Sequence, residues 1–314
     1  PRCSDALLAG VAARVGRLRG TSDFPCADVA CAGALAGAFA QAELRCAEVV
    51  STVLETLSTA DWAAVRCQSR HSAVASIALF CHAFGIAGQS ELGGLVPCAV
   101  AISEDCNLGN LSKMLPLLAA HGSWDARAAA RRSMRRRVPL LLGARTSAAG
   151  DEAPLLEEAS AIPRVLQAMG LARAHDLGTV HALVGRALKL KPQLGLPTVL
   201  QTVSALERLR VRHEPFMNEM AEKISGQHLM SLRAEDVEVI LHAWTSLRAP
   251  HDGLTTAIRE VLQRTSPPPK QALLDMLEEF ASLELPGVGL LRNEGRSEVP
   301  EGSEAASGEA PGTG

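Results

Sequence analysis

Between residues 161 and 283 the apolar positions fall in a pattern that one helix face explains and a strand cannot. With Leu171, Leu209, Leu247 and Leu283 as anchors, the residues three, six and ten places earlier are Ala168, Val165 and Ala161, then Leu206, Val203 and Val199, then Trp244, Leu241 and Val237, then Phe280, Leu277 and Leu273. All are apolar. Offsets of this kind trace one stripe at the period of an α-helix, whereas a strand would alternate residue by residue. The anchors lie 38, 38 and 36 residues apart. After each of the first three comes a break and a second apolar run, "LGTVHALVGRALKL", "PFMNEMAEKI" and "LTTAIREVLQ". Each unit predicts a helix A, a short turn and a helix B. Such a hairpin cannot bury its own apolar faces, so neighbours must stack. The expected fold class is all-α, an α-solenoid of helix-turn-helix repeats of about 38 residues.

The turn inside each unit carries a histidine followed by an acid: His175-Asp176, His213-Glu214 and His251-Asp252. A catalytic His-Asp pair would be needed once, so its recurrence points to a structural role. An acidic side chain at the start of helix B can accept a bond from an unpaired backbone N–H and sits at the positive end of the helix dipole. Pro215, directly after Glu214, suits the first helical position, where a missing N–H costs nothing. Asp176, Glu214 and Asp252 are therefore expected to cap helix B, with the histidines as turn or groove residues.

The N-terminal half follows the same grammar more loosely. "GALAGAFAQAEL" at 33–44 and "SIALFCHAFGIAG" at 76–88 carry Ala38-Phe39 and His82-Ala83-Phe84, which echo His242-Ala243-Trp244. Helix starts are signalled by Ser58 and Thr59 before "ADWAAVR", and by Asp105 near "NLSKMLPLL". Three N-terminal pairs and three to four C-terminal ones are expected. Residues 1–22 read as a partial helix or a processed presequence, 23–137 as the N-terminal repeats ending in an arginine-rich helix, and 138–158 as a linker, because Pro139, Gly143, Gly150 and Pro154 interrupt the pattern. Residues 159–287 read as the C-terminal repeats. The stretch 288–314, rich in Glu, Gly, Ser and Pro, reads as a disordered acidic tail.

Charge changes this picture in one place. The net charge is only −3, but arginine outnumbers lysine 26 to 5, and a guanidinium pairs with phosphate or carboxylate in a bidentate way that lysine cannot. In "SWDARAAARRSMRRRVPLLLGARTSAAGDEAP", Arg127, Arg131 and Arg135 fall at i, i+4 and i+8, with Arg132 and Arg136 beside them and Arg137 adjoining. A helix there would show a dense cationic face with only Asp125 nearby, which points to an anionic partner. Arg173, Arg210 and Arg248 stand near the same phase of successive repeats and could neutralise phosphates of a strand lying along the stack, or simply close helix A at its negative end.

The eight cysteines, at 3, 26, 31, 46, 67, 81, 98 and 106, include no CxxC pair. They read as small core residues in a reducing compartment, with neither a disulfide framework nor a metal site expected. No apolar stretch reaches the roughly 20 residues of a bilayer span, so no membrane association is expected. Phosphate-binding glycine loops, HExxH and GxSxG motifs are all missing from the sequence. Neither a catalytic residue nor a cofactor is therefore expected.

The run of 38-residue helical pairs whose helix A carries "HAW" or "HAF", together with "SPPPKQALLDMLEEFASL" at 266–283, resembles the octotricopeptide repeat and the related heptatricopeptide and Fas-activated serine/threonine kinase-like proteins. The likeness covers about 160–286 clearly and 23–125 loosely. It implies a non-catalytic protein of mitochondria or plastids that binds single-stranded RNA or a ribonucleoprotein, in RNA processing, stability, translation or ribosome assembly. The alternatives are a protein-binding scaffold of HEAT or armadillo character, with partners along the groove, and a structural subunit of a large organellar complex.

Overall fold

The computed structural model describes residues 10, 29–42, 44–62, 71–86, 92–144, 152–228, 232–264 and 271–283. Among them are thirteen α-helices and no strand. In chain order these are α1 (Val29–Gln41), α2 (Ala47–Thr59), α3 (His71–Ala83), α4 (Leu95–Ile102), α5 (Leu108–Ala120), α6 (Trp124–Ala144), α7 (Glu152–Leu171), α8 (Leu177–Lys189), α9 (Leu196–Leu209), α10 (Glu214–Lys223), α11 (Ala234–Ser246), α12 (Asp252–Arg264) and α13 (Gln271–Ser282). The N-terminal segment expected at 1–22, apart from Gly10, and the tail expected at 288–314 lie outside the described residues.

The helices form two layers. The odd-numbered ones, α1, α3, α5, α7, α9, α11 and α13, each pack against the next, and α4, α6, α8, α10 and α12 do the same in a second row. This is the α-solenoid expected from the repeat: each hairpin completes its core only against its neighbours. All twelve apolar residues of the stripe, from Ala161 to Phe280, are buried.

The anchor column needs one correction. Leu171 is 40% exposed and Ala172 is 1% exposed, because the helix ends one residue later in this repeat than in the next two. The hydrogen bonds show the true register. Ala174 N–H donates to Met169 O at 2.9 Å, Val211 N–H to Leu206 O at 3.0 Å and Ala249 N–H to Trp244 O at 3.0 Å, each spanning five residues in the manner of a Schellman end. Met169, Leu206 and Trp244 are therefore equivalent, at spacings of 37 and 38. In α3 the same bond runs from Ile86 N–H to Cys81 O, and in α1 from Leu44 N–H to Phe39 O. His82-Ala83-Phe84 thus begins one residue after its register position and His242-Ala243-Trp244 two before, so the two triplets are not structural equivalents.

The caps also differ from expectation. His213 and His251 precede the acids and do the capping, their Nδ1 atoms accepting the N–H of Phe216 and of Leu254, each at 3.2 Å. Glu214 and Asp252 are first helical residues instead. Only Asp176 stands at the cap position, and its carboxylate accepts from the Thr179 hydroxyl at 2.6 Å and from no backbone N–H. Imidazole is long enough to reach back over the turn, and an acid in the first turn still profits from the dipole. Ser58 and Thr59 end α2, with hydroxyls donating to Glu55 O, and α5 is capped by Asn107, whose side chain accepts from Asn110 N–H at 2.8 Å.

The linker expected at 138–158 is largely helix. Pro139 lies inside α6, which continues to Ala144; α7 begins at Glu152, and α5 packs directly against α7. Pro139 is exposed, so the carbonyl it frees one turn earlier, on Arg135, lies on a side of the helix that water can reach. The two halves are one continuous stack.

A buried ion pair fastens two layers in the middle. Arg186 on α8 donates from Nε and Nη2 to the two carboxylate oxygens of Glu158 on α7, at 2.7 and 3.0 Å, and Glu158 is 1% exposed. The carboxylate holds the Arg186 pKa above its usual value. α13 buries Leu273, Leu277 and Phe280 and exposes Asp275, Glu278 and Glu279.

Candidate nucleic-acid interface

The cationic segment is a helix, as its spacing suggests, and α6 divides its arginines into two kinds. Arg127 donates to the His121 and Gly122 carbonyls at 3.0 and 2.8 Å, Arg131 to the Ala172 carbonyl at 3.2 Å, and Arg137 to the Cys106 carbonyl at 3.3 Å. These three satisfy carbonyls just past the C-terminal ends of α5 and α7 and, for Cys106, in the turn between α4 and α5, where no helix pairs them. They are staples between elements. Arg132, Arg135 and Arg136 are exposed, and among the described residues their one ionic partner is Glu104, 3.9 Å from Arg132 with both groups about half exposed. A pair that long and that wet neutralises little.

Beside these arginines stands Trp124, the first residue of α6 and 79% exposed. Trp124, Ala128, Arg131, Arg132, Arg135 and Arg136 border one open surface hollow of about 550 Å³. The helix begins here because Ser123 caps it, its hydroxyl accepting from Ala126 N–H at 3.2 Å, while His121 Nδ1 accepts from Ser123 N–H. An exposed indole at the head of a guanidinium stripe is the side-chain set that holds nucleic acid without reading its sequence, one member stacking on bases and the others meeting phosphates.

Arg173, Arg210 and Arg248 are exposed and share one backbone conformation, with φ of 50°, 54° and 49°. Each closes a helix A in the left-handed region, which costs a non-glycine residue about 1–2 kcal/mol. The equivalent corner after α3 is Gly85, φ 62°. A cation at the negative end of a helix returns about 0.3–1 kcal/mol, so arginine is not the least costly choice there. The first corner also adjoins the α6 face: Arg173 follows Ala172, whose carbonyl takes the Arg131 bond. Arg131 is thus bonded to the residue before Arg173, and Arg210 and Arg248 hold the same corner in the next two repeats.

A second surface was not legible in the sequence. Helices α1, α3, α7, α9 and α11 of the odd-numbered row border a shared hollow of about 680 Å³. Gln41, Arg164, Gln167, Gln201, Ser204 and Arg208 give it a polar lining. Burial holds the pKa of Arg164, and of Lys113 on α5, below their usual values, with Glu157 opposing the shift in both. Burial likewise lowers the pKa of His82, which also lines the hollow. Gly109 makes room for Glu157: a Cβ there would come within 1.9 Å of its carboxylate. The second row, with α6, therefore lies on the outside of the curve.

Three cysteines, Cys81, Cys98 and Cys106, are buried, while Cys31 and Cys46 are half-buried; Cys3, Cys26 and Cys67 lie outside the described residues. Burial first, and the neighbouring Asp105 second, push the Cys106 thiol up to about 12. Among the described residues no three metal-binding side chains converge, and no helix is long and apolar enough to cross a membrane. No protein-family model matches the chain, and no curated protein matches its sequence.

Proposed function

We propose that this chain binds single-stranded RNA without transforming it, the strand lying on the outer face of α6 and continuing past the corner arginines. The observation that carries this reading is the group Arg132, Arg135 and Arg136, exposed on one helix with, among the described residues, a single distant carboxylate partner. Fixed cations in that state attract a polyanion and gain from the counterions it releases. Arg173, Arg210 and Arg248 extend the positive edge at one corner per repeat. The resemblance to octotricopeptide-like proteins supports an organellar setting and a role in RNA processing, stability, translation or ribosome assembly.

The test is retention of an unstructured RNA on the full chain as salt rises from about 50 to 300 mM, where each phosphate contact contributes about −0.7 to the slope of log affinity against log salt. Changing Arg132, Arg135 and Arg136 together to Ala should flatten that slope by about 2 and weaken binding at low salt. Arg127, Arg131 and Arg137 are left in place because they hold carbonyls of the turns between helices. An unchanged slope and affinity would remove α6 from the interface. Salt-insensitive capture of a protein partner with no RNA in the complex would favour the scaffold reading instead.

A further inference from the structure

We infer that Trp124 is a stacking platform for one unpaired nucleobase, held there while Arg132, Arg135 and Arg136 meet the phosphates that follow. This rests on the RNA reading above and narrows it to a strand whose bases are free. Among the described residues the large exposed apolar side chains are Trp124, Leu140, Leu156, Leu171 and Leu177, so Trp124 is the aromatic one. It borders the same hollow as the arginines. The first turn of α6 is fixed by Ser123 and by the two bonds of Arg127 to the His121 and Gly122 carbonyls, so the indole stands on an ordered support.

Charge placement says which part of a nucleotide belongs at each end. Asp125 lies next to Trp124 and would repel a phosphate, and Arg127, the nearest cation, is spent on the His121 and Gly122 carbonyls, whereas Arg132, Arg135 and Arg136 begin eight residues on, about 12 Å along the helix axis. A neutral base fits the first position and the anionic backbone the second. In a duplex the bases are stacked on each other and offer no free face, so the same residues would bind it through phosphates alone. Among the described residues Glu104, at 3.9 Å from Arg132, is the one acid paired on the phosphate side, and that pair is weak enough to be displaced.

Trp124 can be read directly. The chain has three tryptophans; Trp244 is fully buried, and Trp62 is half-buried with its indole N–H donating to Leu57 O at 3.3 Å. Titration of the full chain with an oligouridylate of about a dozen nucleotides, with an RNA duplex of that length and with inorganic polyphosphate should quench tryptophan emission strongly only for the oligouridylate. Trp124→Ala should abolish the quench and weaken oligouridylate binding about fivefold or more, with polyphosphate affinity unchanged; Trp124→Phe should keep most of the affinity. An oligouridylate affinity that survives Trp124→Ala overturns the stacking role and leaves the RNA reading intact. An equal loss for polyphosphate also overturns it, since the indole would then act by placing the arginines. If the native chain binds neither ligand, the RNA reading fails and the platform with it. Circular dichroism of the Ala variant checks the fold, which an exposed side chain should not disturb.

Discussion

Protonation of His213 would remove the Nδ1 lone pair that accepts the Phe216 N–H, and burial, followed by the His181 ring 5.2 Å away, already holds the pKa of His213 below the usual histidine value. A pair between Arg212 and Glu214, 2.7 Å apart, flanks it on the chain. Because the folded value is the lower one, the unfolded chain takes the proton first as pH drops below about 6.5, so this contribution to stability is complete above that pH and is lost below it. The melting temperature should fall between about pH 7 and pH 5, and His213→Asn, which keeps an acceptor that does not titrate, should fall less. With nine histidines in the chain, only the difference between the two pH curves is diagnostic; parallel curves would show that the cap does not carry the effect. At this scale the sequence shows that the His-acid pair belongs at a helix start. It does not show which member caps, because that depends on where helix B takes its first turn.

At the scale of elements, the joint between α7 and α8 is the most exacting contact. Glu158 and Arg186 meet in two hydrogen bonds inside the stack. Breaking such a pair from one side strands a charge away from water and costs about 3–5 kcal/mol, whereas replacing both members by apolar residues of similar size can cost far less. Urea unfolding should therefore show a large loss for Arg186→Met and a recovery when Glu158→Leu is added. If the double change is as damaging as the single one, shape and not charge governs the joint. The α6 arginines belong to the same scale. Their helical spacing is plain in the sequence, but that Arg127, Arg131 and Arg137 are spent on carbonyls of the segments between helices is not. Those acceptors belong to residues as much as 41 positions away in the chain. Pro139 misled in the opposite direction: a proline disfavours a helix interior without forbidding it, and α6 runs through Pro139 to Ala144.

The whole molecule is a stack in which each odd-numbered helix touches mainly the one before and the one after. Stability in such a structure is close to a sum of local terms, and removing a terminal helix should unfold little beyond its neighbour. A chain ending at residue 264 would lose α13 and uncover the faces of α11 and α12 that it packs on. Circular dichroism should show upstream helices retained per residue, with a lower melting temperature and increased aggregation from the uncovered apolar face. Cooperative loss of the entire helical signal would contradict the additive picture. Curvature also belongs to this scale. It brings Gln41 of α1 and Arg208 of α9 to one hollow, although 167 residues separate them in the chain.

The stripe from Ala161 to Phe280, its recurrence and the shortness of each hairpin were enough to determine an all-helical stack, because helical period and burial are local properties that a chain writes into its own order. The same applies to the cationic helix, whose like charges at i, i+4 and i+8 have to share a side. Tertiary structure alone decided which guanidiniums remain open to a ligand, that Trp124 stays uncovered beside them, and that Arg164 and Arg208 share a hollow. The physical reason is that a carbonyl left over at the end of one helix can be satisfied by a side chain from any other. Only packing brings those distant groups within bonding reach.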